Sequence, residues 1–201
     1  MRQTRWLAVA ILAAVALTAI GAQAATVTAL QSEVMLPEPA EGGWPGTSIY
    51  LALWSAPGGP NATLMIACWP SYGWYCQGWA VGGGMWRQTR VLWLPDVEEG
   101  QPVGARISAA AGGSGTVFSF SVNGESPGTL TVGGNPASIG WAQIACGGVV
   151  TQWMSTTITT STGSVSFPWD DPAELLQWRW YGQPWLEQSC LWLPGSGNWG
   201  G

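Results

Sequence analysis

The sequence predicts an all-β protein, an antiparallel two-sheet β-sandwich of jelly-roll or concanavalin-like type with at most one short helix. Three observations predict it. Short apolar or alternating runs recur between Gly, Pro and Asn punctuation. Almost no segment carries the 3.6-residue apolar period of a helix. Only 8% of the residues are charged while Gly, Ser, Thr, Trp and Ala dominate, so the surface must be polar through hydroxyls, amides and backbone.

Residues 1–24 read as a cleavable signal peptide, which predicts an extracellular or periplasmic protein. Arg2 and Arg5 form a basic start, and an apolar stretch runs from Trp6 to Ile20. Ala22-Gln23-Ala24 then places small residues where a signal peptidase reads them, before Ala25. The apolar stretch is shorter than the ~20 residues a spanning helix needs. Residues 25–43 read as an extended lead-in, with Leu36-Pro37-Glu38-Pro39 and the turn signal Glu41-Gly42-Gly43. Residues 44–201 then form one β-sandwich domain, and the exported chain is long enough for a proper core.

Within that domain, Ser48 to Trp54 and Thr63 to Trp69 read as buried strands joined through Pro57-Gly58-Gly59-Pro60-Asn61. Val91 to Leu94 and Val103 to Ala109 flank the acidic turn Asp96-Val97-Glu98-Glu99-Gly100. Thr116 to Val122 alternates, with Phe118, Phe120 and Val122 on one face, and Asn123-Gly124 turns it toward Thr129 to Val132. Ile139 to Ala145, Val149 to Met154, Thr156 to Thr160 and Val165 to Phe167 continue the pattern. Asp171-Pro172-Ala173-Glu174 predicts one helical turn feeding a strand through Trp180. Leu92-Trp93-Leu94-Pro95 and Leu191-Trp192-Leu193-Pro194 read as two strand ends that stop at proline. Leu193 to Gly197 is similar to a cell-wall sorting motif but lacks its apolar segment and basic tail, and reads as a loop.

Charge excludes partners, and missing residue types exclude chemistry. After cleavage, Arg87, Arg90, Arg106 and Arg179 face eleven carboxylates, a net charge of −7. Nothing gathers a basic patch to neutralise phosphates, which disfavours nucleic acid, and an anionic membrane is disfavoured likewise. The chain has no histidine and no lysine, so Ser-His-Asp and Cys-His nucleophiles, histidine-ligated zinc and lysine Schiff bases cannot be built. Only carboxylate chemistry remains, and no cofactor or metal is expected. Asp96, Glu98 and Glu99, and separately Asp170 and Asp171, are the acid clusters, read as a solvated turn and a helix cap. Asn61-Ala62-Thr63 is a glycosylation sequon.

Cys68, Cys76, Cys146 and Cys190 all lie in the exported part, an even count that argues for two disulfides with three connectivities open. Proximity favours Cys68 with Cys76 and Cys146 with Cys190. The positive functional signal is tryptophan, sixteen in the whole chain. Most are expected in the core. The run from Trp69 to Trp79 holds too many aromatics for one loop-like segment to bury, and Trp69, Tyr72, Trp74, Tyr75, Gln77 and Trp79 are the candidate ligand-binding residues. Aromatic faces beside amides can stack on sugar rings or grip protein surfaces.

Val91 to Pro95, the turn ending Glu99-Gly100, Val103 to Ile107, Phe118 to Asn123 and Ile139-Gly140-Trp141 resemble, in that order, the middle of the eqolisins, the glutamic peptidases. That resemblance implies a secreted two-sheet sandwich with a glutamine, matched by Gln77, and a glutamate before a tryptophan. Gly140 stands at that second position, and no acid occurs from Ser126 to Trp169. An eqolisin-like peptidase or other hydrolase would have to recruit a carboxylate such as Glu125 or Asp170, because Gln143 cannot act as a general base. The expectation is therefore a secreted, non-catalytic domain that binds a glycan, another polymer or an extracellular protein through exposed aromatics. A carboxylate-based hydrolase and a self-associating surface-layer or filament subunit are the alternatives.

Overall fold

The computed structural model describes residues 25–39, 47–69, 71–148, 151–168, 186–192 and 199–200. Its strands are β1 (Val27–Met35), β2 (Ser48–Ser55), β3 (Asn61–Trp69), β4 (Gly73–Gly82), β5 (Met85–Gln88), β6 (Leu92–Trp93) and β7 (Pro102–Gly112). They continue with β8 (Gly115–Val122), β9 (Glu125–Val132), β10 (Ile139–Gly147), β11 (Trp153–Thr160), β12 (Gly163–Pro168), β13 (Leu186–Trp192) and β14 (Trp199–Gly200). A 3₁₀ turn at Pro136–Ser138 is the helical element among the described residues. One sheet has the order β12-β11-β1-β7-β8-β9, and the other β14-β13-β10-β2-β3-β4-β5, with β6 also pairing β4. The two sheets form the antiparallel β-sandwich that the sequence predicts.

The alternation of β8 is the plainest case of sequence setting structure. Thr116, Phe118, Phe120 and Val122 are buried, while Ser119 and Ser121 face outward. Asn123 and Gly124, at φ of 50° and 84°, close the two-residue turn to β9 with the positive dihedrals a tight hairpin needs. Inward side chains from both sheets meet in one core that includes Leu30, Val34, Ile49, Leu51, Leu64, Ile66, Ile107, Phe118, Phe120, Ile144 and Trp153. On the outward face of the six-stranded sheet, the row Ser164, Thr159, Ala29, Ser108, Ser119 and Thr129 crosses every strand. Polarity through hydroxyls is the expected result for this composition.

Several expectations are corrected. The segment read as a lead-in contains β1, which sits between β11 and β7 inside the six-stranded sheet. A bulge between Val27 and Ala29 shifts its pleat, and Ser32 faces the core bonded to Thr156 Oγ1 at 2.8 Å. Both features hide its two-residue period. Thr156 to Thr160 and the preceding residues from Trp153 form one strand, and Val91 to Leu94 shortens to β6. Trp69 to Trp79 is no loop: it is the end of β3, a tight turn and most of β4, whose residues alternate between the two faces. The signal peptide and the helical turn near Asp171 lie outside the described residues.

Cys68 and Cys76 are free thiols. The register places Cys68 opposite Trp74 and Cys76 opposite Ile66, so the two cysteines are diagonal neighbours. Such a diagonal spans about 7–8 Å between Cα atoms, beyond ordinary disulfide reach. Cys190 pairs with Ile144 on β10, and its side chain is not described, so the expected Cys146–Cys190 pairing lies outside what the described residues test. Burial, assisted by the charge of Glu125, pushes the Cys76 thiol up to about 12. Burial and then Glu99 raise that of Cys68. Cys76 is fully buried and its raised pKa keeps it in the thiol form, whereas alkylation needs an accessible thiolate. Native protein should therefore resist iodoacetamide at Cys76 and become labelled only on unfolding or at strongly alkaline pH, as read by peptide mass. Recovery of a Cys68–Cys76 disulfide from freshly purified protein would contradict this register.

Candidate functional site

The outward face of the larger sheet differs from the hydroxyl-covered face opposite. One cross-strand row runs Gln143, Ala52, Thr63, Trp79 and Gln88 over β10, β2, β3, β4 and β5. The row on one side holds Ala145, Tyr50, Met65 and Gln77. On the other side Val81 lies between Asn61 and Trp86. Short side chains at Ala52, Thr63 and Ala145 thus form a floor between tall ones at Tyr50, Trp54, Trp79 and Trp86. The result is a groove of about 300 Å³. None of its lining residues is an acid or an arginine.

The walls are held from behind. Trp54 Nε1 donates to Gln143 Oε1 at 2.8 Å, which fixes the indole across the β2–β10 pair. Asn61 Oδ1 accepts from the Ser55 backbone N–H at 2.6 Å and from Ser55 Oγ at 3.1 Å, so the sequon asparagine fastens the β2–β3 connection. The Gly83-Gly84 turn, at φ of 58° and 74°, folds β5 back and sets Trp86 opposite Val81. Gly78 lets Phe120 pack directly beneath β4, since a Cβ there would meet the ring at 2.8 Å.

Thr89 locks the same stretch of β4. Its N–H donates to the Gly78 carbonyl at 2.9 Å and its Oγ1 accepts from the Gly78 N–H at 3.0 Å. The Thr89 carbonyl accepts from Gln77 Nε2 at 3.0 Å, and Thr89 Oγ1 donates to the Arg90 carbonyl at 2.8 Å. Four bonds on one buried threonine thus hold the strand that carries Trp79. Burial raises the Tyr50 phenol above its ordinary range, against a smaller lowering by its bond to Ser48.

The structure divides the sequence-predicted residues. Trp79 lines the groove. Gln77 serves the Thr89 lock beside it. Trp74 is in the core between the sheets, which removes it as a ligand contact. Tyr75 is buried on the outward face with Met65 and Ala67. Trp69 and Tyr72 are exposed at the β3–β4 turn, away from the groove lining. The expectation that most tryptophans are core also fails among those described: Trp74 and Trp153 are buried, while Trp69, Trp86 and Trp93 are exposed and Trp54, Trp79 and Trp141 are half-buried. Tyr50, Trp54, Thr63, Trp86 and Gln143 line the groove without having been candidates.

The residues matched to a glutamic peptidase do not converge. Gln77 lies in the row of Ala145, three strands away on β10, and Gly140 is five residues further along that strand. That separation is roughly 20 Å. Asp96, Glu98, Glu99 and Glu125 are exposed, and no group of three potential metal ligands occurs among the described residues. Asp170 and Asp171 lie outside them.

No protein-family model matches the chain, and no curated protein matches it in sequence. Among solved structures, the chain is similar to sheep galectin-11 in its complex with glycerol. The identity is 12% and the TM-score 0.40, over 71% of this chain and 90% of galectin-11. At that level no residue correspondence with galectin-11 follows.

Proposed function

We propose that this protein is a secreted, non-catalytic binding domain whose outward groove takes an uncharged glycan. The observation that carries the reading is the groove itself: a floor of small residues, four aromatic walls, amides from Asn61 and Gln143, and no carboxylate or basic side chain lining it. Sugar rings present apolar C–H faces and hydroxyl edges, which suit aromatic walls with a few fixed amides. A carboxylate-based hydrolase would need two acids converging on the bound chain, and the groove lining supplies none. Export rests on the leader at residues 1–24, and N-terminal sequencing of protein from the culture medium should begin at Ala25. Tryptophan fluorescence titrated with neutral polysaccharides should shift saturably for at least one of them. Unchanged emission across a panel of glucans, galactans, mannans and xylans would overturn the glycan reading.

Two further outcomes follow from the lining. Gln143→Met removes the acceptor of the Trp54 indole N–H while nearly conserving volume. It should weaken glycan binding by about 1 kcal/mol, roughly fivefold by calorimetry, with little change in melting temperature. Binding should also be independent of pH from about 4 to about 9. Tyr50 is the one titratable side chain of the lining. Its raised pKa keeps the phenol neutral across that window. A fall in affinity through the carboxylate range would show that an acid contributes.

A further inference from the structure

We infer that the groove is one end of an elongated site that follows β4 and its edge partners and takes an extended neutral polysaccharide chain, not a single terminal sugar; this rests on the glycan reading above. Along β4, Trp79, Gln77 and Tyr75 point to the same outward face as successive alternate residues. Gln88 pairs with Trp79 at the groove end, and Trp93 pairs with Tyr75 at the other. Four residues separate the two ends, about 13 Å along the strand, a span for several linked rings.

The far end is a second aromatic platform. Trp93 is 43% exposed and Tyr72 71% exposed. Their ring centroids lie 5.9 Å apart, and Trp93 leans on the buried Tyr75 at 5.4 Å. Trp69 meets Tyr72 edge-on at 6.0 Å. The turn that presents Tyr72 has Ser71 at φ 79°, a left-handed conformation that a residue with a Cβ rarely adopts. Its backbone is closed by the Tyr72 N–H donating to the Trp69 carbonyl at 3.0 Å. Exposed rings held in place by a buried ring and a closed turn lose little freedom on binding. Between the platforms stands the Gln77 amide; along the adjoining edge Arg87 and Arg90 are exposed before β6, and Asp96, Glu98 and Glu99 are exposed after it. Exposed arginines before β6 and exposed acids after it leave that edge without a strong charge of one sign, which suits a neutral chain.

Affinity measured against chain length tests the inference. Calorimetry with β-1,4- and β-1,3-linked gluco-oligosaccharides and β-1,4-linked galacto-, manno- and xylo-oligosaccharides, from disaccharide to hexasaccharide, should show a gain of at least about tenfold with length in one series. Tyr72→Ala with Trp93→Ala should erase that gain and leave disaccharide affinity unchanged. Equal affinity for short and long oligomers, or a length gain that survives the double variant, would overturn the elongated site while the groove reading stands. Absence of binding in every series, short and long, would overturn both. Circular dichroism and melting of the double variant, both of whose altered rings are exposed, should match the parent.

Discussion

Trp86→Ala is expected to reduce glycan affinity by about thirtyfold or more, and Trp79→Ala by at least as much. Central aromatic residues of a binding site typically contribute about 2 kcal/mol or more on truncation. Trp86 is 60% exposed in the free protein, so its removal takes nothing from the core. Trp79 is half-buried against the cluster of Met65, Ala67 and Tyr75, so its loss should also lower stability modestly. The two variants together separate binding from folding. Trp86→Ala should melt with the parent and bind about thirtyfold or more weakly, as measured by differential scanning and titration calorimetry. Trp74→Ala would be uninformative about binding, because Trp74 is packed between the sheets.

Gly78→Ala is expected to destabilise the fold by about 1–3 kcal/mol. The added Cβ would stand 2.8 Å from two atoms of the Phe120 ring and 2.9 Å from a third. Phe120 is 2% exposed, so its ring has nowhere to move without displacing the core. The backbone of Gly78 is also pinned through both its N–H and its carbonyl to Thr89, which prevents β4 from rising to make room. Urea denaturation should show the loss, and Gly113→Ala, where the added carbon meets nothing within 4 Å, is the control expected to stay within about 0.5 kcal/mol. Combining Gly78→Ala with Phe120→Leu should recover part of the cost, since neighbours that share one packing conflict are not additive.

How far the fold was legible depended on whether one face of each strand is polar. β8 is legible in sequence because Ser119 and Ser121 separate Phe118, Phe120 and Val122. β2 was seen as a strand, but both of its faces carry apolar groups: Leu51 and Leu53 go to the core, Tyr50, Ala52 and Trp54 to the groove. A run without alternation shows a strand and conceals which side is the site. That is why Trp54 and Tyr50 escaped notice. Trp86 is hard to place from sequence because it and Met85 form a two-residue apolar island between glycines and polar residues, and only the Gly83-Gly84 hairpin brings it over Val81. Gln143 carries no sequence signal for its role, which is to hold an indole through a contact across 89 residues. The Trp69 to Trp79 cluster drew attention through local density. Density along the chain does not distinguish a hairpin whose residues alternate inward and outward from a loop that exposes them all. Trp74 and Trp79 therefore belong to opposite faces of one strand.

The central claim is that a neutral glycan occupies the groove walled by Tyr50, Trp54, Trp79 and Trp86. Protein labelled with nitrogen-15 at tryptophan gives one indole N–H signal for each ring, and single substitutions assign them. Titration with the polysaccharide that quenches fluorescence most should move the signals of Trp54, Trp79 and Trp86 at one common affinity, while those of the buried Trp74 and Trp153 stay fixed. Movement confined to tryptophans outside the groove, or saturation that persists unchanged in Trp79→Ala with Trp86→Ala, would contradict it.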